Sequence, residues 1–342
     1  MERFNIHMTL NKTLYKKLLS TLLTCTILIL SISGCSMVQN SEPISRTGFY
    51  FDTIIQITLY NTTDEALLDE CMNMCDHYEK LLSAHIDDSD VSKINTSNVQ
   101  PVEVSDETIE LLNIALEYAE ISEGAFDPTI GSVSLLWDFD SDEHIVPDES
   151  TISEALTHVN YHNISINGNT VTISDPDTNI DLGAIAKGYI ADKLKAYLVS
   201  ENITSGIINL GGNVLLIGSK PDGSDFNIGI QKPFADTSTS ITGVKASNKS
   251  VVSSGTYERY FEVDSKFYHH ILDTSTGYPL DNGLIGITIL SDDSVVGDAL
   301  STTCFSLGME KGMELIESLD GIEVLFITED YEIHTSSGWP EE

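Results

Sequence analysis

The stretch NIDLGAIAKGYIADKL, residues 179–194, places a carboxylate, a glycine turn and a lysine at the start of a helical pattern. Ile180 and Leu182 alternate as a strand does, Gly183 permits a tight turn, and Lys187, Ala191, Leu194 and Leu198 recur at helical spacing. The spacing predicts a strand that hands over to a helix. A helix N-terminus offers free N–H groups and the positive end of the helix dipole, and Lys187 in its first turn adds a full charge. The junction therefore suits an anion such as phosphate. It is not a P-loop, because Lys187 precedes Gly188 instead of following a glycine. Read alone, a glycine turn with a solvent-facing lysine explains these residues equally well.

Outward from this junction, strands and helices interleave without a regular βαβ beat, which predicts an α+β fold with mixed, largely antiparallel sheets and packed helices. Ile55, Ile57 and Leu59 alternate with Gln56 and Thr58 as a strand. A helix follows, with Leu67, Cys71, Met74, Cys75, Tyr78, Leu81 and Leu82 on one face. Ser105 is placed to cap a second helix whose inward stripe reads Ile109, Leu112, Leu116 and Ala119. In NISINGNTVTIS, Asn167-Gly168 is a type I′ hairpin signal between two alternating runs. Strand patterns in GIINL, NVLLIG, FNIGI, RYFEV and GITIL precede helices near 295–307 and 311–318 and a further strand, IEVLFIT.

The chain has 342 residues, 41% hydrophobic and 20% charged, in the range of ordered globular proteins. Its formal charge of −36 repels nucleic-acid phosphates and excludes DNA or RNA as a natural partner. Any anion bound here needs local cations or a metal.

Residues 1–34 carry Arg3, Lys12, Lys16 and Lys17, then the apolar run LLSTLLTCTILILSISG, the pattern of an export signal. ISGC, ending at Cys35, resembles a bacterial lipobox, so cleavage there and lipidation of Cys35 are expected. Residues 35–47 then form a flexible tether, and residues 48–342 one catalytic domain, lipid-anchored to the membrane on its extracytoplasmic side. Cys71, Cys75 and Cys304 show neither zinc nor redox spacing and read as buried thiols.

Two further groups carry chemistry. Asp298 and Thr302 stand at i and i+4 on a helical pattern, so a carboxylate and a hydroxyl share one face. Few oxygen ligands, completed by water and substrate phosphate, are how Mg²⁺ is usually held. In YHHILDTSTGYPL, a histidine, an aspartate and a Thr-Gly turn fall together, and histidine can move protons near neutral pH.

In order along the chain, FDTIIQITLY, SEGAFDPTIGSVSLLWDF, IDLGAIAKGYIAD, IINLGGNVLLIG, VVSSGTYERYFEVDSKFYHHILDTSTGYPL and DALSTTCFSLG resemble the motifs of the ApbE family of flavin transferases. The resemblance covers most of the chain, from about Phe49 to Gly308. It implies an FAD site between two lobes, with Mg²⁺ held by Asp298, Thr302 and the carbonyl of Ala184. It implies that Thr53, Ala125, Phe126, Asp127, Asp181, Lys187, His270 and Ile271 line the FAD pocket, and that His270, Asp298 and Lys187 serve the chemistry. The implied reaction moves FMN from FAD to a threonine hydroxyl of an acceptor flavoprotein as a phosphoester, releasing AMP. An Mg²⁺-dependent FAD diphosphatase and a non-enzymatic flavin-binding lipoprotein are the alternatives. Asp138, Thr256 and Thr274 depart from the family pattern, where glycine, an acidic residue and proline are usual.

Overall fold

Ile55, Ile57 and Leu59 are fully buried while Gln56 is exposed, so the period-two pattern seats one face of this strand on the core. The computed structural model describes residues 42–137, 139 and 144–340. Its elements run β1 Ile44–Tyr50, β2 Thr53–Leu59, α1 Ala66–Leu82, α2 Asp90–Asn95, β3 Val102–Glu103, α3 Asp106–Ile121, α4 Gly131–Trp137 and α5 Glu149–Leu156. Next come β4 Ile164–Asn167, β5 Thr170–Ile173, α6 Ala186–Ser200, β6 Ser205–Leu210, β7 Asn213–Gly218, β8 Phe226–Gln231, β9 Ser240–Ala246 and β10 Ser250–Gly255. Then follow β11 Tyr260–Val263, β12 Lys266–His269, β13 Leu284–Ser291, α7 Ser294–Glu317, β14 Glu323–Thr328 and β15 Ile333–Thr335.

Eight strands form the main sheet in the order β1-β2-β6-β7-β10-β13-β14-β15, each pairing antiparallel. The fold is α+β, as expected. Inward side chains of β2, β6 and β7, with α1, α3 and α6, build the largest core. Alternate residues go the other way: Leu216 and Val244 meet under the β8–β9 hairpin, which covers the opposite face. Helix α7 packs on β13 and β14. A satellite core gathers Val133, Trp137, Phe261, Tyr268 and Leu272, and the Trp137 indole N–H donates to the Gly277 carbonyl at 2.9 Å. The described residues all fall within one compact unit.

Three local expectations need correcting. Residues 44–47, assigned to the tether, belong to β1, where Ile44 pairs with Leu59 and Arg46 with Ile57; the short alternating run was masked by its polar neighbours. The β4–β5 hairpin exists, but its loop is Gly168-Asn169 and only Gly168 has positive φ, 58°, the pattern of a type II′ turn. On α3, Leu112 and Ala119 are buried as expected and Ile109 and Leu116 only in part, while Leu111, Ala115 and Thr108, whose Oγ1 donates to the buried Asp90 carboxylate at 2.9 Å, complete the inward face. The two helices expected near 295–307 and 311–318 are present as the two halves of α7, parted at Gly308, whose φ of 78° and ψ of 171° only glycine adopts readily. The Ser105 cap is present, its Oγ accepting from Thr108 N at 3.1 Å.

Cys71, Cys75 and Cys304 are buried and unpaired, and burial pushes each thiol up to about 12. No helix among the described residues is long and apolar enough to cross a membrane. The leader, the lipobox with Cys35, and Asp138 lie outside the described residues.

Candidate active site

The site is built where the N-termini of α6 and α7 cross. At Gly188 a Cβ would stand 2.4 Å from the Ser294 carbonyl oxygen and 2.7 Å from Asp298 Cβ, so only glycine lets the helices approach this closely. The Gly188 N–H donates to Asp298 Oδ2 at 2.8 Å. It does so instead of bonding the Ala184 carbonyl four residues back, and no backbone bond among the described residues takes that carbonyl. Asp298 is 4% exposed. Burial raises its pKa, opposed by the charge of Lys187 and by the Gly188 N–H. The arrangement is reciprocal: Asp192 of α6 accepts from Ser294 N at 2.9 Å and Val295 N at 2.8 Å, capping α7. Burial pushes Asp192 up to about 6.

Before α6 the chain is extended, joined to Ile130 only by a single bridge at Asn179, so the expected strand is not formed. Asp181 shapes the turn. Its Oδ1 accepts from Gly183 N at 2.8 Å and its Oδ2 from Ser134 Oγ at 3.0 Å. Lys187 extends back over this turn, Nζ donating to the Gly183 carbonyl at 3.3 Å. Thr302, one turn beyond Asp298 on α7, is half-buried.

The β6–β7 turn, Asn209 to Asn213, forms another wall. Gly211 and Gly212 take φ of 61° and 92°, and a Cβ on Gly211 would stand 2.1 Å from Thr53 Oγ1, so Thr53 closes directly on the turn backbone. Asn213 Oδ1 accepts from Ser294 Oγ at 2.6 Å. Asn213 Nδ2 and Asn209 Oδ1 are buried without a hydrogen-bond partner, a cost of about 1–3 kcal/mol each unless a ligand satisfies them. Asn213 also lowers the pKa of Asp298, so its orphaned amide stands beside that carboxylate.

Glu258, Arg259 and His270, from the β11–β12 hairpin, complete the cluster; His270 N donates to the Arg259 carbonyl at 3.1 Å. Glu258 is open to solvent yet surrounded by protein, as a side chain in a cleft wall is. Burial pushes it up to about 7, Asp298 adding to the rise and Lys187 and Arg259 opposing it. His270 Nδ1 lies 3.3 Å from the Arg259 carbonyl, which can only accept, so the neutral ring carries its proton on Nδ1 and offers Nε2. Burial, then the charges of Arg259, His269 and Lys187, lower His270 to about 3. It is a weak base.

Lys187 thus lies within electrostatic reach of Asp298, Glu258 and His270, with Thr302 one turn beyond Asp298 and Thr53 against the β6–β7 turn. The fold turns other expected side chains inward. Phe126 is in the main core, Ile271 packs under α7, and Asp127 spends its carboxylate on Thr129 N, Thr129 Oγ1 and Tyr161 N at 2.8, 2.6 and 2.9 Å. Only the backbone of these residues, with half-buried Ala125, is left for a ligand. Glu258, Asn209, Asn213 and Asp192 were not singled out from sequence; the Asn-x-Gly-Gly-Asn spacing was the available signal. Thr274, standing where proline is usual, donates Oγ1 to the Gly124 carbonyl at 2.8 Å and ties the two loops together.

A buried carboxylate, a hydroxyl one turn on and an uncommitted carbonyl are all oxygen donors, and an orphaned amide lies beside them. This donor set fits Mg²⁺. Away from it, His158, Asp175 and Asp177 hold three possible ligand atoms within 4.8 Å of one another. There His158 Nδ1 bonds Asp175 Oδ2 at 2.7 Å and holds Asp175 below the usual carboxylate range, as an ion pair does.

Residues 51–326 match the model of the ApbE family. The chain belongs to the ApbE family. It is 39% identical to the FAD:protein FMN transferase of Klebsiella pneumoniae over 303 residues, 88% of this chain and 94% of the relative. It is 32% identical to that of Treponema pallidum over 331 residues, 91% of each. Among solved structures, the ApbE protein of Thermotoga maritima superposes with a TM-score of 0.80 at 32% identity, covering 86% of this chain and 97% of that one. The flavin transferase ApbE of Vibrio cholerae gives 0.77 at 27%, with the same coverage. In this ApbE family member the matched region contains every element of the cleft.

Proposed function

We propose that this chain is an FAD:protein FMN transferase, moving FMN from FAD to an acceptor flavoprotein. The observation that carries it is the helix crossing, where Gly188 holds Asp298 beside Lys187 and leaves the Ala184 carbonyl uncommitted. We further propose that Asp298, Thr302 and the Ala184 carbonyl hold Mg²⁺. When bound, the ion supplies positive charge at the pyrophosphate, which a protein this acidic otherwise lacks.

The chain's own residues bind and orient. Lys187, at the positive end of α6, sets a cation beside the phosphates. The turn held by Asp181 keeps Lys187 and Ala184 in place. His270, neutral with Nε2 free, accepts a hydrogen bond from the attacking threonine hydroxyl and aligns it. The hydroxyl oxygen attacks the FMN-side phosphorus, the bond to the AMP oxygen breaks, and the hydroxyl proton leaves through Nε2 to water. Phosphoryl transfer asks chiefly for such alignment and charge neutralisation. We also propose, from the lipobox, that Cys35 anchors the protein outside the cytoplasm.

Incubation with FAD, Mg²⁺ and an acceptor flavoprotein tests this directly. AMP release matched by flavin fluorescence on the denatured acceptor band is expected. AMP release without labelling identifies a diphosphatase instead, and neither product refutes both. Asp298→Ala is expected to abolish AMP release while FAD binding falls only in part.

A further inference from the structure

We propose that the aromatic ledge of Phe234, Tyr260 and Phe267, beside the cleft, is the surface on which the acceptor protein's threonine-bearing segment lies. This rests on the transfer reading above and adds the place where the partner docks.

The ledge is half-open and built. Phe234 is 46% exposed and Tyr260 44%. The Phe234 ring meets Tyr260 edge-on at 5.7 Å and Phe267 at 5.6 Å, while Tyr260 and Phe267 lie 4.9 Å apart. Phe234 holds φ at 60°, a region a bulky side chain rarely occupies. Its loop is closed by backbone bonds from Lys232 N to the Thr239 carbonyl at 2.8 Å and from Ala235 N to the Lys232 carbonyl at 3.1 Å. A strained, exposed aromatic held this firmly is a feature of binding surfaces.

The ledge is continuous with the reactive cleft. Tyr260 pairs with His269 across the β11–β12 hairpin, the His269 ring lies 5.9 Å from that of Phe267, and the next residue is His270. The Phe234 ring also meets that of Tyr257 edge-on at 6.0 Å, and Tyr257 leads directly into Glu258 and Arg259. A segment lying across the rings therefore runs toward Glu258, whose carboxyl feels the charges of Lys187 and Asp298. Lys232, which precedes Phe234 in the same loop, holds its Nζ 5.3 Å over the Tyr331 ring, while the exposed Glu262 pairs with Phe267 across the hairpin. Aromatic faces take up apolar side chains, so the segment recognised carries apolar residues next to its threonine.

The test uses short synthetic peptides with a single threonine, flanked either by leucine and alanine or by glycine and serine, as FMN acceptors for wild type, Phe234→Gly and Phe234→Trp. Glycine suits the φ of this position, so the Gly variant keeps its fold. Wild type is expected to take the apolar peptide with a KM about tenfold lower than the polar one. Phe234→Gly should erase that difference and Phe234→Trp keep it, with kcat and acceptor-free AMP release unchanged in both. Equal KM for the two peptides in wild type overturns the ledge. So does a raised KM for FAD in Phe234→Gly, which places the flavin there instead, and so does transfer to the whole acceptor flavoprotein with none to any peptide. Failure of wild type to label even the acceptor flavoprotein refutes the transfer reading itself, and the ledge with it.

Discussion

Gly188→Ala is a small change at the point where the two helices meet. The new methyl lands 2.4 Å from the Ser294 carbonyl oxygen, where ordinary contact begins at 3.4 Å, so one helix must move by about 1 Å. Both close neighbours, the Ser294 carbonyl and Asp298 Cβ, are anchored near the start of α7 and cannot rotate away. Overpacking of this kind costs about 1–3 kcal/mol. Loss of the bond from Gly188 N to the Asp298 carboxylate adds about 1.5–3 kcal/mol. Replacing a helical glycine with alanine returns about 1 kcal/mol. The net destabilisation is about 1.5–5 kcal/mol, which for a protein of this size lowers Tm by roughly 2–8 °C. A displacement of 1 Å at Asp298 also misplaces the oxygen donors, and misalignment of that size costs on the order of 100-fold in rate. Differential scanning calorimetry and a coupled AMP assay at saturating FAD measure the two effects. A variant with unchanged Tm and unchanged AMP release would show that the helices do not cross as described, and the site built on that crossing would fall.

Lys187→Ala should raise the KM for FAD about tenfold or more, because a charge-assisted contact to phosphate is lost, with Tm moved by less than 1 °C, since Lys187 reaches only the Gly183 carbonyl at 3.3 Å. A steady-state FAD titration decides this. His270 falls from 6.5 to about 3 on folding, so between those values the unfolded chain binds the extra proton and stability is lost as pH falls. His270→Gln should flatten the change in urea midpoint between pH 7 and pH 5. Asp192 shifts the other way, from 3.8 to about 6, so the folded chain holds the proton and stability is lost as pH rises across that interval. Asp192→Asn should remove this slope while costing about 1 kcal/mol for the weakened cap on α7, as urea midpoints at pH 4, 5 and 7 would record.

Much of the fold was legible because apolar period and secondary structure coincide where one face meets a core. The α1 face was read nearly residue by residue, from Leu67 through Cys71, Cys75 and Tyr78 to Leu82. Strands β9 and β10 were not: SITGVKA and SVVSSG are rich in serine and glycine, and their place comes from pairing, β9 with β8 and β10 between β7 and β13. Thr108 shows the same limit inside a helix, since a polar residue absent from the apolar stripe is buried against Asp90, eighteen positions away in sequence. In the site, the motifs located Asp298, Thr302 and Lys187, but spacing cannot distinguish a carboxylate that faces a ligand from one consumed by its own turn, as Asp127 is.

The sequence alone determined the α+β class, the family and the segments that carry the chemistry, because each is a local matter of residue type and period. Tertiary structure decided which groups remain available. Gly188 and Asp298 are 110 positions apart, and only the crossing of two helices makes one cap the other while the Ala184 carbonyl is left uncommitted. Burial and neighbouring charge likewise made His270 a weak base and placed Glu258 in the cleft wall. Desolvation and Coulomb forces depend on what surrounds a group in three dimensions, and a linear pattern does not contain that information.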